Sequence, residues 1–429
     1  MRFVSTRGEA APLSFSDAIL AGLAPDGGLY VPEHWPEIEI DRLDPSEPFD
    51  RLAARVIAPF LAGDRLESQL DSLSERAFDF PMPLVTLAGG SAVLELFHGP
   101  TAAFKDFGAR FLATCFEALL AERAERLTIL VATSGDTGAA VAAACHRRAG
   151  MRVAVLFPDG GVAPRQQQQL TCWDGNVRSF AVRGTFDDCQ RLVKAAFGRP
   201  GWPPAGRLSS ANSINVGRLL PQMAYYAAAS LRYRAEHGRE AGFIVPSGNV
   251  GNSVGAFWAK RLGFPVREIA LATNANRVLP DWFAGAEWSP RPSVKTLANA
   301  MDVGDPSNME RLLHLHPDRD AMLSVAQSLS VDDATIRQEI VRGVERWERV
   351  WCPHTATAAH FLDRLEGDDW VIVATAHPAK FDSIVEPLLG RPVETPARLQ
   401  ALLERPTRCT EIEADLDRFL AAMEEEEAR

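Results

Sequence analysis

The chain has 429 residues, of which 46% are hydrophobic and 24% are charged, as in ordinary globular proteins. Its formal net charge of −11 would repel a phosphate backbone, so we expect no binding to nucleic acid. No uninterrupted apolar run approaches about 18 residues and the N-terminus has no apolar core, so we expect a soluble, cytoplasmic protein without a membrane span.

The first 80 residues predict a small N-terminal unit, with a turn-rich stretch before Tyr30 and a helix at Arg51–Phe60. After residue 90, short apolar runs alternate with longer amphipathic segments. This alternation predicts an α/β fold with parallel sheets, which bind ligands beyond the carboxyl ends of their strands. The predicted strands are Leu94–Phe97, Leu127–Ala132, Val153–Phe157, Phe243–Val245, Ile269–Thr273 and Trp370–Ala374. The predicted helices are Phe104–Leu120, Ala139–Arg148, Phe186–Phe197, Leu219–Glu236 and Val254–Leu262.

The segment from residue 98 to residue 108 (HGPTAAFKDFG) joins the first of these strands to the first of these helices. It places Lys105 in the first turn of the helix, where the helix dipole and two phenylalanine neighbours disfavour an ammonium ion. A depressed lysine pKa is what an imine-forming amine needs, and guanidinium groups cannot do that chemistry. The chain has only five lysines, and Lys380, which also follows a strand, is the second candidate. The alternative is a surface lysine paired with Asp106.

The segment Thr133–Gly138 (TSGDTG) follows the second strand and opens the next helix. Hydroxyl groups and amides at a helix start suit an anion such as a carboxylate. The alternative is a helix that is merely well capped, by Asp136 or Thr137. Further along, four consecutive glutamines, Gln166–Gln169, predict a polar helix face rather than a functional tract.

Two further segments suit phosphate groups. In Asn212–Arg218 (NSINVGR), two side-chain amides, a hydroxyl and an arginine are candidate phosphate ligands, although alone this segment reads as a turn with an exposed arginine. Pro246–Ser253 (PSGNVGNS) leaves a strand and enters a helix, so its amides predict a phosphate cradle, although many such loops only turn the chain. Neither a dinucleotide fingerprint nor a P-loop fits its glycine pattern.

Together these segments resemble the threonine synthases, a branch of the fold-type-II pyridoxal-phosphate enzymes. The likeness also includes Phe15–Pro32, Ala298–Met301 and Thr375–Phe381. The resemblance implies an α/β fold of two doubly wound parallel-sheet domains with an extra N-terminal α+β domain. The implied boundaries are 1–80 for the N-terminal domain, 81–101 and 216–390 for the large domain, 102–215 for the small domain and 391–429 for a C-terminal helical tail.

The resemblance implies a cofactor, pyridoxal 5′-phosphate, carried by Lys105 as a Schiff base. It also implies the substrate O-phospho-L-homoserine, the products L-threonine and phosphate, no metal, and a monomer or small homo-oligomer. Besides Lys105, the implied cofactor ligands are Asp136, Gly248, Asn249, Val250, Gly251, Asn252 and Thr375, with Asp136 near the ring hydroxyl and Thr375 at the pyridine nitrogen. The implied substrate ligands are Ser134, Gly135 and Thr137 for the carboxylate and Asn212, Ser213 and Arg218 for the phosphate.

Two alternatives remain open from the sequence. The first is another lyase or dehydratase on the same scaffold, acting on phosphoserine, serine or threonine. The second is a non-catalytic binding protein, against which the intact Lys105 argues. One departure from the family pattern leaves the role of His354 open, because Cys352 stands where the family commonly has an acidic residue. None of the six cysteines forms a CxxC pair, so we expect free thiols and no zinc site.

Overall fold

The computed structural model describes residues 1–121, 126–204 and 206–424. Its strands are β1 (Phe3–Ser5), β2 (Tyr30–Pro32), β3 (Leu84–Thr86), β4 (Ala92–Glu95), β5 (Leu127–Ala132), β6 (Met151–Pro158), β7 (Val177–Arg183), β8 (Arg207–Ser210), β9 (Ala241–Pro246), β10 (Val266–Thr273), β11 (Ala326–Ser330), β12 (Trp370–Ala374) and β13 (Thr410–Glu413).

The helices cover both faces of the sheets that these strands form. They are α1 (Phe15–Ala21), α2 (Phe49–Ile57), α3 (Leu70–Ala77), α4 (Lys105–Ala121), α5 (Asp136–Cys145), α6 (Pro164–Thr171), α7 (Phe186–Phe197), α8 (Leu220–His237), α9 (Gly251–Arg261), α10 (Val278–Phe283), α11 (Met309–Leu315), α12 (Arg319–Leu323), α13 (Asp333–Trp347), α14 (Pro353–Leu362), α15 (Asp382–Leu389), α16 (Ala397–Leu403) and α17 (Leu416–Glu424). Short 3-10 helices include Val216–Arg218, Asn299–Met301 and Pro378–Phe381. In the described ranges, no helix combines the length and apolar character needed to cross a membrane.

The N-terminal unit pairs β1 and β2 antiparallel and packs α2 against α8 and α3 against α4. The described residues also form two larger sheets. The first has six strands in the order β11-β10-β9-β12-β4-β3, which are parallel except for β3 at one edge. The other has the order β13-β7-β6-β5-β8 and is wholly parallel. Strands β5, β9 and β12 are buried along their whole length, as expected for parallel strands covered by helices. The predicted α/β class is confirmed.

The predicted strands Leu127–Ala132 and Trp370–Ala374 and the helix Phe186–Phe197 agree with the structure at both ends. The helix predicted at Ala139–Arg148 is α5, which starts three residues earlier, at Asp136. The tail predicted as helical from residue 391 is only partly so, because it also adds β13 alongside β7. Residues 425–429 of that tail lie outside the described residues. The domain boundaries stay a prediction.

The strand ends determine where a ligand can bind. β4, β9 and β12 belong to one sheet and β5 and β8 to the other, and the segments after all five line one cavity of about 770 Å³. Because parallel strands end at the same edge of a sheet, the two sheets present their carboxyl ends to this cavity.

Candidate active site

The cavity brings together almost every residue that the sequence singled out. Among the residues predicted to bind the cofactor or the substrate, Gly135 alone is not in its wall and instead packs behind it, against Gln166. The sequence-predicted residues that line the cavity are Lys105, Ser134, Asp136, Thr137, Asn212, Ser213, Arg218, Gly248, Asn249, Val250, Gly251, Asn252 and Thr375.

Lys105 is the first residue of α4 and is half-buried at the cavity wall. Among the residues that the structure describes, its Nζ atom has no hydrogen bond or ion pair and lies 5.3 Å from the centroid of the Phe104 ring. Burial lowers the pKa of Lys105 to about 8, helped by the nearby Arg218 and Lys380 and opposed by Asp136. A lysine amine in this setting is neutral in an appreciable fraction of molecules near neutral pH.

The alternative pairing of Lys105 with Asp106 is wrong. Asp106 is fully buried and turns away, accepting hydrogen bonds from the Thr101 backbone N at 2.9 Å and the Thr101 hydroxyl at 2.7 Å. These contacts close the loop that precedes α4. They leave the Lys105 amine to the cavity.

Backbone hydrogen bonds join the loop before Lys105 to the segment after β12. Phe104 N donates to the Thr375 carbonyl at 2.8 Å, and His377 N donates to the Ala102 carbonyl at 3.0 Å. Ala102 has a φ of 54°, an uncommon value for a residue with a side chain. Thr375 Oγ1 is buried without a hydrogen-bond partner. A buried hydroxyl left unpaired beside a reactive amine points to a ligand atom as its partner.

The glycine-rich loop supplies the start of α9. Val250 adopts a φ of 63°, which is costly for a β-branched residue, and its left-handed turn leads into the first helical residues, Gly251 and Asn252. The first amides of a helix lack partners within the helix, so those of α9 can converge on an anion. Asn252 Nδ2 is buried and unpartnered as well, while its Oδ1 accepts from the Tyr226 hydroxyl at 2.9 Å.

Position 248 has no room for a side chain, because this loop lies directly against the segment Asn299–Met301. A Cβ at position 248 would lie 2.6 Å from Met301 Cα, a backbone atom that cannot rotate away. We predict that Gly248→Ala weakens cofactor binding by about tenfold or more, because the loop must shift and misdirect its amides. Absorbance titration of the apoprotein with cofactor measures this.

The matched control is Gly198→Ala, at the end of α7, where a Cβ would meet nothing closer than 3.6 Å. That variant should bind the cofactor as the wild type does. Equal affinity for both variants would contradict the role given to Gly248.

The start of α5 is not capped as predicted, because neither Asp136 nor Thr137 does the capping. Instead the Thr133 hydroxyl accepts hydrogen bonds from Gly135 N at 3.0 Å and Gly138 N at 2.9 Å. This arrangement leaves the Ser134 and Thr137 side chains at the cavity wall.

The prediction of a polar face for Gln166–Gln169 is also wrong for two members. Gln166 and Gln169 are fully buried, because positions three apart lie on the same face of a helix and that face of α6 points inward. Gln169 Nε2 donates to the Thr101 carbonyl at 3.1 Å, and Gln166 Nε2 donates to Asp136 Oδ1 at 3.0 Å. The glutamine run therefore supports the site from behind.

Arg218 is not the exposed arginine that its segment alone would suggest. It is 1% exposed, and burial lowers its pKa to about 10. Its Nη1 donates to the Ala211 carbonyl at 2.5 Å, while its Nε is buried without a partner. Gly108 makes room for it, since a Cβ there would lie 2.8 Å from Arg218 Nε. A buried guanidinium with an unused donor is suited to an anionic ligand.

Asn308 and Arg311, which the sequence did not single out, also hold the segment around Arg218 in place. Ser213 Oγ accepts hydrogen bonds from Asn249 Nδ2 at 2.8 Å and Asn308 Nδ2 at 3.1 Å, so its own proton remains free to donate. Arg311 is 1% exposed and donates to the carbonyls of Tyr30 at 3.1 Å, Ser213 at 3.2 Å and Ile214 at 2.6 Å.

His354, whose role the sequence left open, is a neutral hydrogen-bond acceptor. Burial lowers its pKa to about 4, and its Nε2 accepts from Ala300 N at 3.1 Å. Cys352 takes the helix-capping place, with its Sγ accepting from Thr355 N at 3.4 Å. His354 thus fixes the segment that packs on Gly248.

Sequence reasoning also missed Lys194, which lines the cavity from α7 and is exposed at its edge. The scarcity of lysine in this chain is the signal that could have drawn attention to it. Lys380, the second candidate for the reactive amine, is instead fully buried and paired with Asp136 at 2.9 Å.

The side chains present fit pyridoxal 5′-phosphate. Such a group needs a primary amine for its aldehyde, amides for its phosphate and hydrogen-bond partners for its ring. Lys105, the start of α9 and the unpartnered Thr375 Oγ1 supply these in one cavity.

Comparisons with known proteins agree with this geometry. The family model described as pyridoxal-phosphate dependent enzyme matches residues 80–376, the threonine synthase N terminus matches residues 2–78 and the threonine synthase C-terminal model matches residues 355–422. The chain is 38% identical to a threonine synthase of Serratia marcescens over 410 residues, 95% of each chain.

Two solved structures have the same fold over almost the whole chain. The threonine synthase from Escherichia coli superposes with a TM-score of 0.91 at 35% identity over 99% of each chain. The PLP-bound threonine synthase from Brucella melitensis gives 0.91 at 34% identity over 98% of each chain. The chain therefore belongs to the threonine synthase family of pyridoxal-phosphate-dependent enzymes.

Proposed function

We propose that this chain converts O-phospho-L-homoserine and water into L-threonine and inorganic phosphate, with Lys105 as the catalytic amine. Family membership supports this activity. The observation that carries it is that one cavity joins an unpaired lysine amine, an amide cradle and the buried cation Arg218. A single chain supplies all of these groups, and the six unpaired cysteines suit a reducing cytoplasm.

The cofactor ligands follow from the unpartnered groups. Lys105 would bind the cofactor covalently, and the amides from Gly248 to Asn252 would hold its phosphate. Thr375 Oγ1 would hydrogen-bond the pyridine nitrogen. Asp136 Oδ2 accepts no hydrogen bond from the described residues, which leaves it for the ring hydroxyl. When bound, pyridoxal phosphate supplies an electron sink for negative charge on substrate carbon atoms.

Two sets of residues suit the two anionic groups of the substrate, its carboxylate and its phosphate. Ser134 and Thr137 lie at the start of α5, where their hydroxyl groups suit the substrate carboxylate, whereas the Gly135 N–H already donates to Thr133 and Gly135 would contribute through the turn that it forms. Arg218, Ser213 and Asn212 line the same cavity and offer a guanidinium, a hydroxyl and an amide, which suit the substrate phosphate. Asn212 Oδ1 is buried without a partner, so its side chain has hydrogen-bonding capacity left for a ligand.

The Lys105 amine is the group placed to move protons. In its neutral form, the Lys105 amine would remove the proton from the substrate Cα. Loss of a Cβ proton then expels phosphate from Cγ, where the Arg218 guanidinium stabilises the departing charge. Cγ would then gain a proton, water would add its hydroxyl at Cβ, and a proton delivered to Cα, for which the Lys105 amine is placed, would give threonine.

The test is an assay of both products from O-phospho-L-homoserine. Threonine and phosphate should appear in equal amounts, and phosphoserine, serine and threonine should give no keto acid at a comparable rate. Keto acid from any of these three without threonine from phosphohomoserine would favour the lyase or dehydratase alternative.

The pKa of Lys105 predicts a pH dependence for cofactor attachment. Only the neutral amine attacks an aldehyde, so the rate should rise with pH and level off above about pH 8, the pKa that burial gives this lysine. Stopped-flow absorbance of apoprotein mixed with cofactor measures the profile. Lys260→Arg, which changes a lysine outside the cavity, should leave the profile unchanged. A rate that keeps rising towards about pH 10.5 would mean that Lys105 is not desolvated.

A further inference from the structure

A buried ion pair joins the two sheets behind Lys105. Lys380 Nζ lies 2.9 Å from Asp136 Oδ1, and the two side chains are 0% and 5% exposed. Lys380 is in the short helix Pro378–Phe381 after β12, whereas Asp136 opens α5 after β5. The pair therefore connects elements that follow strands of different sheets.

The position of Lys380 is fixed by a second contact. Its Nζ donates to the Thr101 carbonyl at 2.7 Å, and Gln169 Nε2 donates to the same oxygen. Thr101 belongs to the loop that leads to Lys105. The ammonium group of Lys380 is thus held between the lysine loop and Asp136, with no exposure to solvent.

Asp136 Oδ1 is fully engaged, and its other oxygen is not. Oδ1 takes both the Lys380 ammonium and the Gln166 amide, whose Oε1 in turn accepts from Asn299 Nδ2 at 2.9 Å. Asn299 begins the segment that packs on Gly248. Among the described residues no donor reaches Asp136 Oδ2, and Asp136 lines the cavity. One oxygen is therefore fixed from behind while the other remains for a ligand.

Three titratable groups near Asp136, on Lys380, Lys105 and His354, affect the pKa of its carboxylate. Burial alone would raise the pKa of Asp136, but Lys380, then Lys105 and His354, together with the Gln166 hydrogen bond, lower it well below its usual range. Lys105 loses its charge only above its pKa of about 8 and is no longer a free amine once it carries the cofactor, whereas His354, with a pKa of about 4, is already neutral near neutral pH. Of these three groups, Lys380 is the one whose contact with Asp136 is direct, at 2.9 Å.

We propose that Lys380 is a positioning residue that keeps Asp136 an anion, with one oxygen turned to the cofactor ring hydroxyl, while Gln166 joins Asp136 to the segment behind the phosphate loop. The inference rests on the proposed function, because it needs the cofactor in this cavity. It assigns Lys380 no covalent step.

The experiment is a pH titration of the absorbance of the reconstituted holoenzyme. Without the Lys380 charge, burial should raise the pKa of Asp136, so this carboxylate should take up a proton at a higher pH than in the wild type. Lys380→Met should therefore show a transition in the cofactor band that the wild type lacks. The double variant Lys380→Met/Asp136→Asn has no ionisable group at position 136, so it should lose that transition again. Lys380→Arg, which keeps the charge, should titrate as the wild type does.

Two results would overturn the inference: a Lys380→Met profile identical to that of the wild type, or a transition that persists in the double variant. Should Lys380→Met not fold, Lys380→Gln, which keeps a donor for the Thr101 carbonyl but carries no charge, replaces it. Borohydride reduction of the wild type followed by peptide mass spectrometry separates this test from that of the proposed function. A label missing from Lys105 refutes the proposed function, whereas a label on Lys105 with an unchanged Lys380→Met profile refutes only the present inference.

Discussion

Lys105→Arg will fold but will lose the covalently bound cofactor, and threonine formation will fall by about 10⁴-fold or more. The reason is chemical rather than electrostatic, since arginine keeps the positive charge but cannot condense with an aldehyde. The half-buried side chain makes no hydrogen bond to the described residues, so its replacement should cost little stability. The absorbance band of the bound cofactor and the rate of threonine release measure the effect.

The matched control is Lys260→Arg, the same exchange at a lysine that donates to the carbonyls of Val266 and Arg267 away from the cavity. This control should stay coloured and active. A coloured and active Lys105→Arg protein would remove the basis of the proposed chemistry, whichever lysine then carried the label.

Arg218→Met should lower kcat/KM by about 10²- to 10³-fold, the usual effect of removing one group that stabilises charge in a transition state. Methionine fills much of the space between α4 and the Ala211 carbonyl but offers no charge to the departing phosphate. If the arginine contacts that phosphate, inorganic phosphate should also inhibit the variant more weakly as a product. Steady-state kinetics with and without added phosphate test both effects.

Arg42→Met serves as the control for Arg218→Met, because Arg42 is 75% exposed and pairs with Glu39 on the surface. It should leave kcat/KM and phosphate inhibition unchanged. If Arg218→Met lowered the melting temperature but left phosphate inhibition at its wild-type strength, Arg218 would have a structural role only.

Local sequence patterns predicted the elements whose signal is local. β12 is a continuous apolar run and β5 is apolar except for Thr128, and the predicted bounds of both agree with the structure at each end. Lys105 was placed in the first turn of its helix because an apolar strand, a glycine-proline turn and an amphipathic stretch follow one another there. The short edge strand β13 carries no comparable signal, since only one of its residues is buried.

The support behind the site could not be predicted, because it depends on which faces meet after folding. Gln166 and Gln169 look like surface residues in sequence, and only the packing of α6 against α5 buries them. Lys380 is a second candidate for the cofactor in sequence because it, like Lys105, follows a strand. The carboxylate that distinguishes it, Asp136, comes from the other sheet and is 244 residues away in the chain.

The contacts of Arg311 have a consequence for the first 80 residues. Its guanidinium bridges the main chain of Tyr30, in β2, to the main chain of Ser213 and Ile214, while Asn215 Nδ2 donates to the Ile19 carbonyl at 2.8 Å. A truncated enzyme starting near residue 80 would leave the buried Arg311 without the Tyr30 carbonyl. The Ser213–Ile214 segment, which lies beside the proposed phosphate ligands, would then be held less firmly. The first 80 residues are therefore part of the support of the active site. Substitutions there should alter substrate turnover although the substituted residues do not contact the substrate.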